Sequence, residues 1–169
     1  MEAKVSIIMG STSDLPVMEE TAKVLNEFKI PFEINALSAH RTPEEVEKFA
    51  KSAYKKGICV IIAAAGMAAH LPGVIASMTT VPVIGVPIKA TLDGWDSILS
   101  ILQMPQGIPV ATVGLNAAKN AGLLAIQILS ISDKNIHKQF SEYKENLKQK
   151  IVKANKDLKK LKFEYMVLP

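Results

Sequence analysis

Apolar residues follow two alternating patterns along the chain. Short, nearly continuous apolar runs occur at "KVSIIMG" (4–10), "FEINALS" (32–38), "ICVIIAAAG" (58–66), "VPVIGVP" (81–87) and "IPVATVG" (108–114). Each has the length and composition of a strand buried on both faces. Between them the apolar positions recur three and four apart: Val17, Met18, Ala22, Val24, Leu25 and Phe28 in one segment, Val46, Phe49, Ala50 and Ala53 in the next. That spacing places them on one face of a helix. The alternation predicts a three-layer α/β fold: an open, parallel, doubly wound sheet of about five strands, flavodoxin-like, with helices on both faces and right-handed crossovers.

The last third reads differently. Residues 117–131 predict an Ala/Leu/Ile-rich helix, and beyond Ser132 the chain turns Lys/Glu-rich, with apolar residues at Ile136, Phe140, Tyr143, Leu147 and Ile151. Spacings of four, three, four and four draw one narrow stripe on a long C-terminal helix. So narrow a stripe suits packing on the same or a neighbouring subunit better than a place in the main core. The predicted organisation is therefore an α/β domain, 1–132, with a helical extension, 133–169.

Composition narrows the class. Hydrophobic residues make up 49% of the 169 positions but aromatic ones only 5%, a palette suited to a parallel sheet under packed helices. The net charge of +4 is unevenly distributed. Residues 133–169 hold ten lysines against five acidic residues, and the first 132 residues hold ten basic against eleven acidic ones. The basic excess is a solvated helix face, without the arginines and interleaved aromatics of a nucleic-acid surface. No apolar run approaches the length of a membrane span, and the N-terminus lacks the pattern of an export leader. A single cysteine, Cys59, excludes an intrachain disulfide. The expectation is a cytoplasmic protein with neither nucleic acid nor membrane as partner.

In a doubly wound sheet ligands bind beyond the carboxyl ends of the strands. The first strand is followed by "GSTSDLP", where Gly10 permits a turn, Ser11 and Ser13 offer hydroxyls and Asp14 precedes a helix that Pro16 helps to start. This is either an anion site or a plain N-cap. The second strand leads into "SAHRTPEE". Thr42, Pro43 and Glu45 predict a capping box, so His40 and Arg41, the sole arginine, sit just before a helix on the same rim. Arg41 suits bidentate contact with a phosphate, or is simply a surface residue beside a capping histidine. The third strand ends in "AAAGMAAHLPG", whose small residues either admit a ligand or allow close helix packing; His70 taken alone reads as a buried structural histidine. Cys59 reads as a small core residue of the third strand, and His137 lies on the lysine-rich helix. The segment after the fourth strand, "KATLDGWDSILSILQMPQGIP", reads as a long loop, with Trp95 as part of a lid or as a shelf for a flavin. No motif for a metal or a dinucleotide occurs.

Taken together and in order, "GSTSD", "SAHRTPEE", "AAHLPG", "GVP", "DSILSILQMPQGIPVAT" and "NAGLLAIQIL" resemble the class I N5-carboxyaminoimidazole ribonucleotide mutases of de novo purine biosynthesis, over roughly residues 4–130. The resemblance implies an enzyme that moves a carboxylate from an exocyclic nitrogen to carbon 4 of an aminoimidazole ribonucleotide, without metal, ATP or organic cofactor. It implies that His40 is the general acid and base. Ser11, Ser13 and Arg41 would grip the phosphate, Asp14 a ribose hydroxyl, and Ser38 with Gly66, Ala68 and Ala69 the base and its carboxylate. His70 and Leu71, with Pro72 and Gly73, would shape a CO2 pocket. Many members carry glycine where this chain has Ala64 and Met67. The family also implies a homo-octamer. Two other readings use the same sheet: a class II carboxylase acting on free CO2, and a flavodoxin-like protein that binds FMN or another nucleotide.

Overall fold

A computed structural model describes residues 2–167. The chain divides into two compact units, Met1–Leu129 and Ser130–Pro169. The first contains a five-stranded parallel sheet in the order β2-β1-β3-β4-β5, the flavodoxin-like arrangement. Its strands are β1 (Val5–Met9), β2 (Phe32–Ala36), β3 (Val60–Gly66), β4 (Val83–Ile88) and β5 (Ala111–Thr112). They are connected by α1 (Leu15–Glu27), α2 (Pro43–Ala53), α3 (Leu71–Ala76) and α4 (Trp95–Leu102), and α5 (Ala118–Ser130) follows β5.

The period-two alternation of a strand sorts the core into two faces. Ile8, Ile61, Ala63, Ala65 and Val83 share one cluster with Val46, Phe49 and Ala50 of α2, Leu71 and Ile75 of α3, and Ile101 of α4. Gly85 lets α4 come this close, since a Cβ there would stand 2.4 Å from Ile101 Cγ2. The intervening residues Ile7, Met9, Ile62 and Ala64 are buried as well. Here α1 packs on β1. The Thr21 hydroxyl donates to the Ala118 carbonyl at 2.7 Å, and a Cβ on Gly122 would stand 2.4 Å from Val24 Cγ1, which marks a close α1–α5 contact.

Several local expectations are corrected. Burial on both faces holds for β1, β3 and β4 but not for β2, an edge strand whose Ile34 is 43% exposed. Its polar face is organised by Glu33, which accepts from the Ser6 hydroxyl and from Asn35. At the other edge β5 is cut to two residues, because Pro109 has no N–H to donate to a ladder and Pro105–Ile108 closes a turn. Cys59 is exposed just before β3. The stretch after β4 is not one long loop: it folds into α4, anchored where the buried Ser97 hydroxyl lies 3.0 Å from the Ile88 carbonyl and 2.9 Å from that of Gly94.

In the second unit α6 (Lys134–Leu158) starts at Asp133, whose side chain accepts from the backbone N–H groups of Asn135 and Ile136 at 2.8 and 3.1 Å. None of its residues is buried within the chain, and Phe140 stacks on Tyr143 one turn away. Of the predicted extension, residues 168 and 169 lie outside the described residues.

Candidate functional site

The chain leaves β1 toward β2 on one side and reaches β3 on the other, so the strand order reverses between β1 and β3. Beyond their carboxyl ends lies a cavity of about 610 Å³, where the topology favours ligand binding. Each of the first four strands supplies its following loop: Gly10, Ser11, Ser13 and Asp14 after β1, Ser38 to Arg41 after β2, Ala65 to Ala68 with His70 and Leu71 at the end of β3, and Ala90 after β4.

The loop after β1 is a single short turn in which the Ser11 hydroxyl accepts from Ser13 N–H at 3.3 Å. Asp14 precedes α1 without capping it, and its carboxylate accepts from the Ser13 hydroxyl instead. Partial burial pushes the Asp14 carboxyl above the usual carboxylate range, and the Ser13 bond pulls it part of the way back.

After β2 the predicted capping box does not form. Thr42 occupies the N-cap position, but its hydroxyl oxygen folds back to accept from Ser38 N–H at 3.0 Å, and Thr42 N–H donates to the Ser38 carbonyl at 2.9 Å. The side chain that would have capped α2 closes a tight Ser38–Thr42 turn, and this turn presents His40 and Arg41 to the cavity. Arg41 links two loops: Nη2 donates to the Gly10 carbonyl at 2.7 Å and Nε to Ser38 Oγ at 3.3 Å. The guanidinium is thereby held beside the serine loop.

His70 is exposed, against the expectation of a buried histidine, because Ala68 and His70 close a turn just before α3 (His70 N–H to the Ala68 carbonyl, 2.8 Å). Its Nδ1 lies 2.9 Å from His40 Nε2, with the rings edge to face at 81°. One N–H···N bond needs one donor and one acceptor. The pair satisfies it with both rings neutral or with one protonated, and loses it when both are cations. It therefore accommodates one added proton.

Of the residues expected at the site, Ser11, Ser13, Asp14, Ser38, His40, Arg41, Gly66, Ala68, His70 and Leu71 all line this cavity. Ala69 does not: it is buried in the core beneath the turn. Pro72 is buried in α3. Trp95 is 64% exposed and does not line the cavity, so neither the lid nor the flavin shelf is supported. Met67 lines the cavity as well, and so do Ala39, Ala65 and Ala90, which were not among the expected residues; the signal for these was their place at or soon after a strand's carboxyl end. Among the described residues no cluster of three or more His, Cys, Asp or Glu is arranged to hold a metal, and no helix is long and apolar enough to cross a membrane.

Fold and cavity define an open parallel α/β protein whose strand-end cavity brings two serines and an arginine together with an imidazole pair. Residues 4–150 match the AIR carboxylase family, and the chain belongs to it. It is 59% identical over 147 residues to the N5-carboxyaminoimidazole ribonucleotide mutase of Pyrococcus abyssi, covering 86% of this chain and 84% of that one. To the Thermotoga maritima protein of the same name it is 53% identical over 165 residues, 96% of each. The crystal structure of Treponema denticola PurE superposes with a TM-score of 0.84 at 35% identity, over 92% of this chain and 98% of that one.

Proposed function

We propose that the chain is an N5-carboxyaminoimidazole ribonucleotide mutase, which moves the carboxylate from the exocyclic nitrogen to carbon 4 of the ring. The observation that carries this reading is the convergence of the His40–His70 pair and the Arg41–Ser11–Ser13 cradle on one cavity. The phosphate sits against the serines and Arg41, where guanidinium and hydroxyl donors favour an anion. Asp14 takes a ribose hydroxyl, and the base lies along Gly66 and Ala68 toward the histidines.

His40 gives a proton to the exocyclic nitrogen. The C–N bond breaks with its electron pair left on nitrogen, and CO2 is released beside an electron-rich ring. Carbon 4 attacks the CO2, and its proton returns to His40. One proton leaves the imidazole pair and one comes back, within the range the pair can hold. Imidazole suits both transfers because its ordinary titration lies near neutral pH. The same reading makes the protein cytoplasmic and a homo-octamer that acts on a small ribonucleotide.

The test is an assay without metal or ATP, with the N5-carboxylated ribonucleotide as substrate and isotopically labelled CO2 in the buffer. Conversion to the C4-carboxylate with little label taken up is the expected result. Full labelling from the uncarboxylated ribonucleotide would make the enzyme a carboxylase of free CO2, and binding without turnover of either would end the enzymatic reading.

A further inference from the structure

On its β5 side, β4 runs out of strand partners before it ends. Among the described residues that ladder pairs only Ile84 with Ala111 and Gly85 with Thr112, after which Val113 N–H donates to the Gly85 carbonyl at 3.1 Å. Asn116 takes over from there. Its backbone N–H donates to the Pro87 carbonyl at 2.9 Å, and its side-chain Oδ1 accepts from Lys89 N–H at 2.9 Å. A residue in a parallel ladder donates to one residue of the neighbouring strand and accepts from the residue two further on. Asn116 makes that same pair of bonds with Oδ1 in place of a backbone carbonyl.

The residue type fits the task. Asn116 has φ 54° in a turn that Ala117 N–H closes on the Gly114 carbonyl at 3.0 Å, and asparagine tolerates the left-handed region better than other side chains because it bonds locally. Its neighbour Leu115 bears on the same segment, since a Cβ on Gly94 would stand 2.5 Å from Leu115 Cδ1. What this loop holds reaches the cavity. Ala90 follows Lys89 directly and lines the cavity with Gly66. A Cβ on Gly66 would meet the Ala90 methyl at 3.3 Å and the Ile88 carbonyl at 3.2 Å, so Gly66 and Ala90 form one wall whose spacing is set by the end of β4.

We propose that Asn116 is a positioning residue for the base-binding wall: standing in for the missing strand, it fixes Lys89 and Ala90 and thereby the wall that Ala90 shares with Gly66. The proposal rests on the mutase reading above, in which the base lies along Gly66. The phosphate cradle is built on the loops after β1 and β2, which Asn116 does not touch. Loss of the Oδ1 bond leaves Lys89 N–H without its acceptor and frees the segment that carries Ala90. Recognition of the base is then weakened while recognition of the phosphate is kept.

The experiment titrates the full-length protein calorimetrically with the uncarboxylated ribonucleotide and, separately, with ribose 5-phosphate, which has no base. Asn116→Gly keeps the left-handed backbone and removes Oδ1, whereas Asn116→Asp keeps an oxygen that can accept from Lys89 N–H. The glycine variant should bind the ribonucleotide several-fold more weakly and ribose 5-phosphate as the wild type does, and the aspartate variant should recover most of the loss. Wild-type affinity for the ribonucleotide in Asn116→Gly would overturn the proposal. So would an equal loss for both ligands, which would mean general loosening, or an aspartate variant as weak as glycine. Ala90→Gly trims the wall without disturbing Asn116, so it tests the proposal even if Asn116→Gly does not fold: it should show the same selective loss, and unchanged affinity for both ligands would overturn the assignment of this wall to the base. A wild type that binds the ribonucleotide no better than ribose 5-phosphate would instead count against the mutase reading, an outcome visible before any variant is made.

Discussion

His40 Nε2 and His70 Nδ1 stand 2.9 Å apart on loops that follow different strands, β2 and β3. Such a bond fixes the orientation of one ring against the other. His40→Asn should still bind the ribonucleotide while turnover falls by about two to four orders of magnitude, the usual contribution of a general acid–base group. Appreciable residual turnover would take that role from His40. In His70→Leu turnover should fall while ribonucleotide affinity holds, since His40 loses its hydrogen-bond partner, and His70→Asn, whose amide can bond His40, should recover part of the loss. Turnover unmoved by leucine would make the 2.9 Å contact incidental to the chemistry.

Arg41 has two tasks in this geometry, and a single substitution separates them from bulk charge. It ties the β1 loop to the β2 loop through Gly10 and Ser38 and lines the cavity beside Ser11 and Ser13. Lysine keeps the charge but loses the planar fork. Arg41→Lys should weaken ribonucleotide binding by about 1.5–3 kcal/mol, roughly ten- to a hundredfold. Calorimetric titration with the bare ribose 5-phosphate would show the same loss if the phosphate is what Arg41 grips. Unchanged affinity for both ligands would place the phosphate elsewhere.

Much of this site was legible in the sequence because doubly wound sheets put binding loops after their strands. His40, Arg41, Ser11 and Ser13 could be assigned to one rim before any coordinates. What escaped depended on three-dimensional neighbours. Thr42 has the sequence signature of a cap, yet its hydroxyl makes its bond to Ser38, and either choice satisfies the same oxygen. Ala69 and Ala68 are chemically identical, and only the direction of the turn sends one into the core and the other to the cavity. The partial exposure of β2 follows from its place at the sheet edge, which is decided by strand order and not by its own residues, although Glu33 and Asn35 already marked one polar face.

Asp14 carries a measurable pH dependence of stability. Burial raises its carboxyl above the ordinary aspartate range, the Ser13 bond offsetting only part of the rise. The native chain thus holds this proton more tightly than the unfolded chain does. As pH climbs from the ordinary aspartate value through the raised one, Asp14 subtracts stability, and the full penalty remains above that window. Asp14→Asn should therefore melt higher than wild type at neutral pH. The difference should shrink toward zero as the pH falls below the ordinary aspartate value. Ribonucleotide affinity should drop at the same time if Asp14 holds a ribose hydroxyl. A melting difference that is constant across this range would assign the effect to packing and not to charge.

The C-terminal unit poses a different question, because α6 carries an apolar stripe and yet buries none of its residues within the chain. Leu147 and Ile151 lie one turn apart at 42% and 65% exposure, on a helix whose remaining surface is dominated by lysine and glutamate. In proteins most helical stability comes from packing an amphipathic face, so covering this stripe would stabilise α6. In the oligomer proposed above, a neighbouring subunit would cover this stripe. Leu147→Glu combined with Ile151→Glu places two carboxylates in that stripe without touching the cavity. Light scattering should report a smaller particle than wild type, and helix content should fall in the far ultraviolet as α6 loses its cover. If the double variant keeps the wild-type mass and helicity, the stripe is not an assembly surface, and the oligomer must be built from the α/β unit alone.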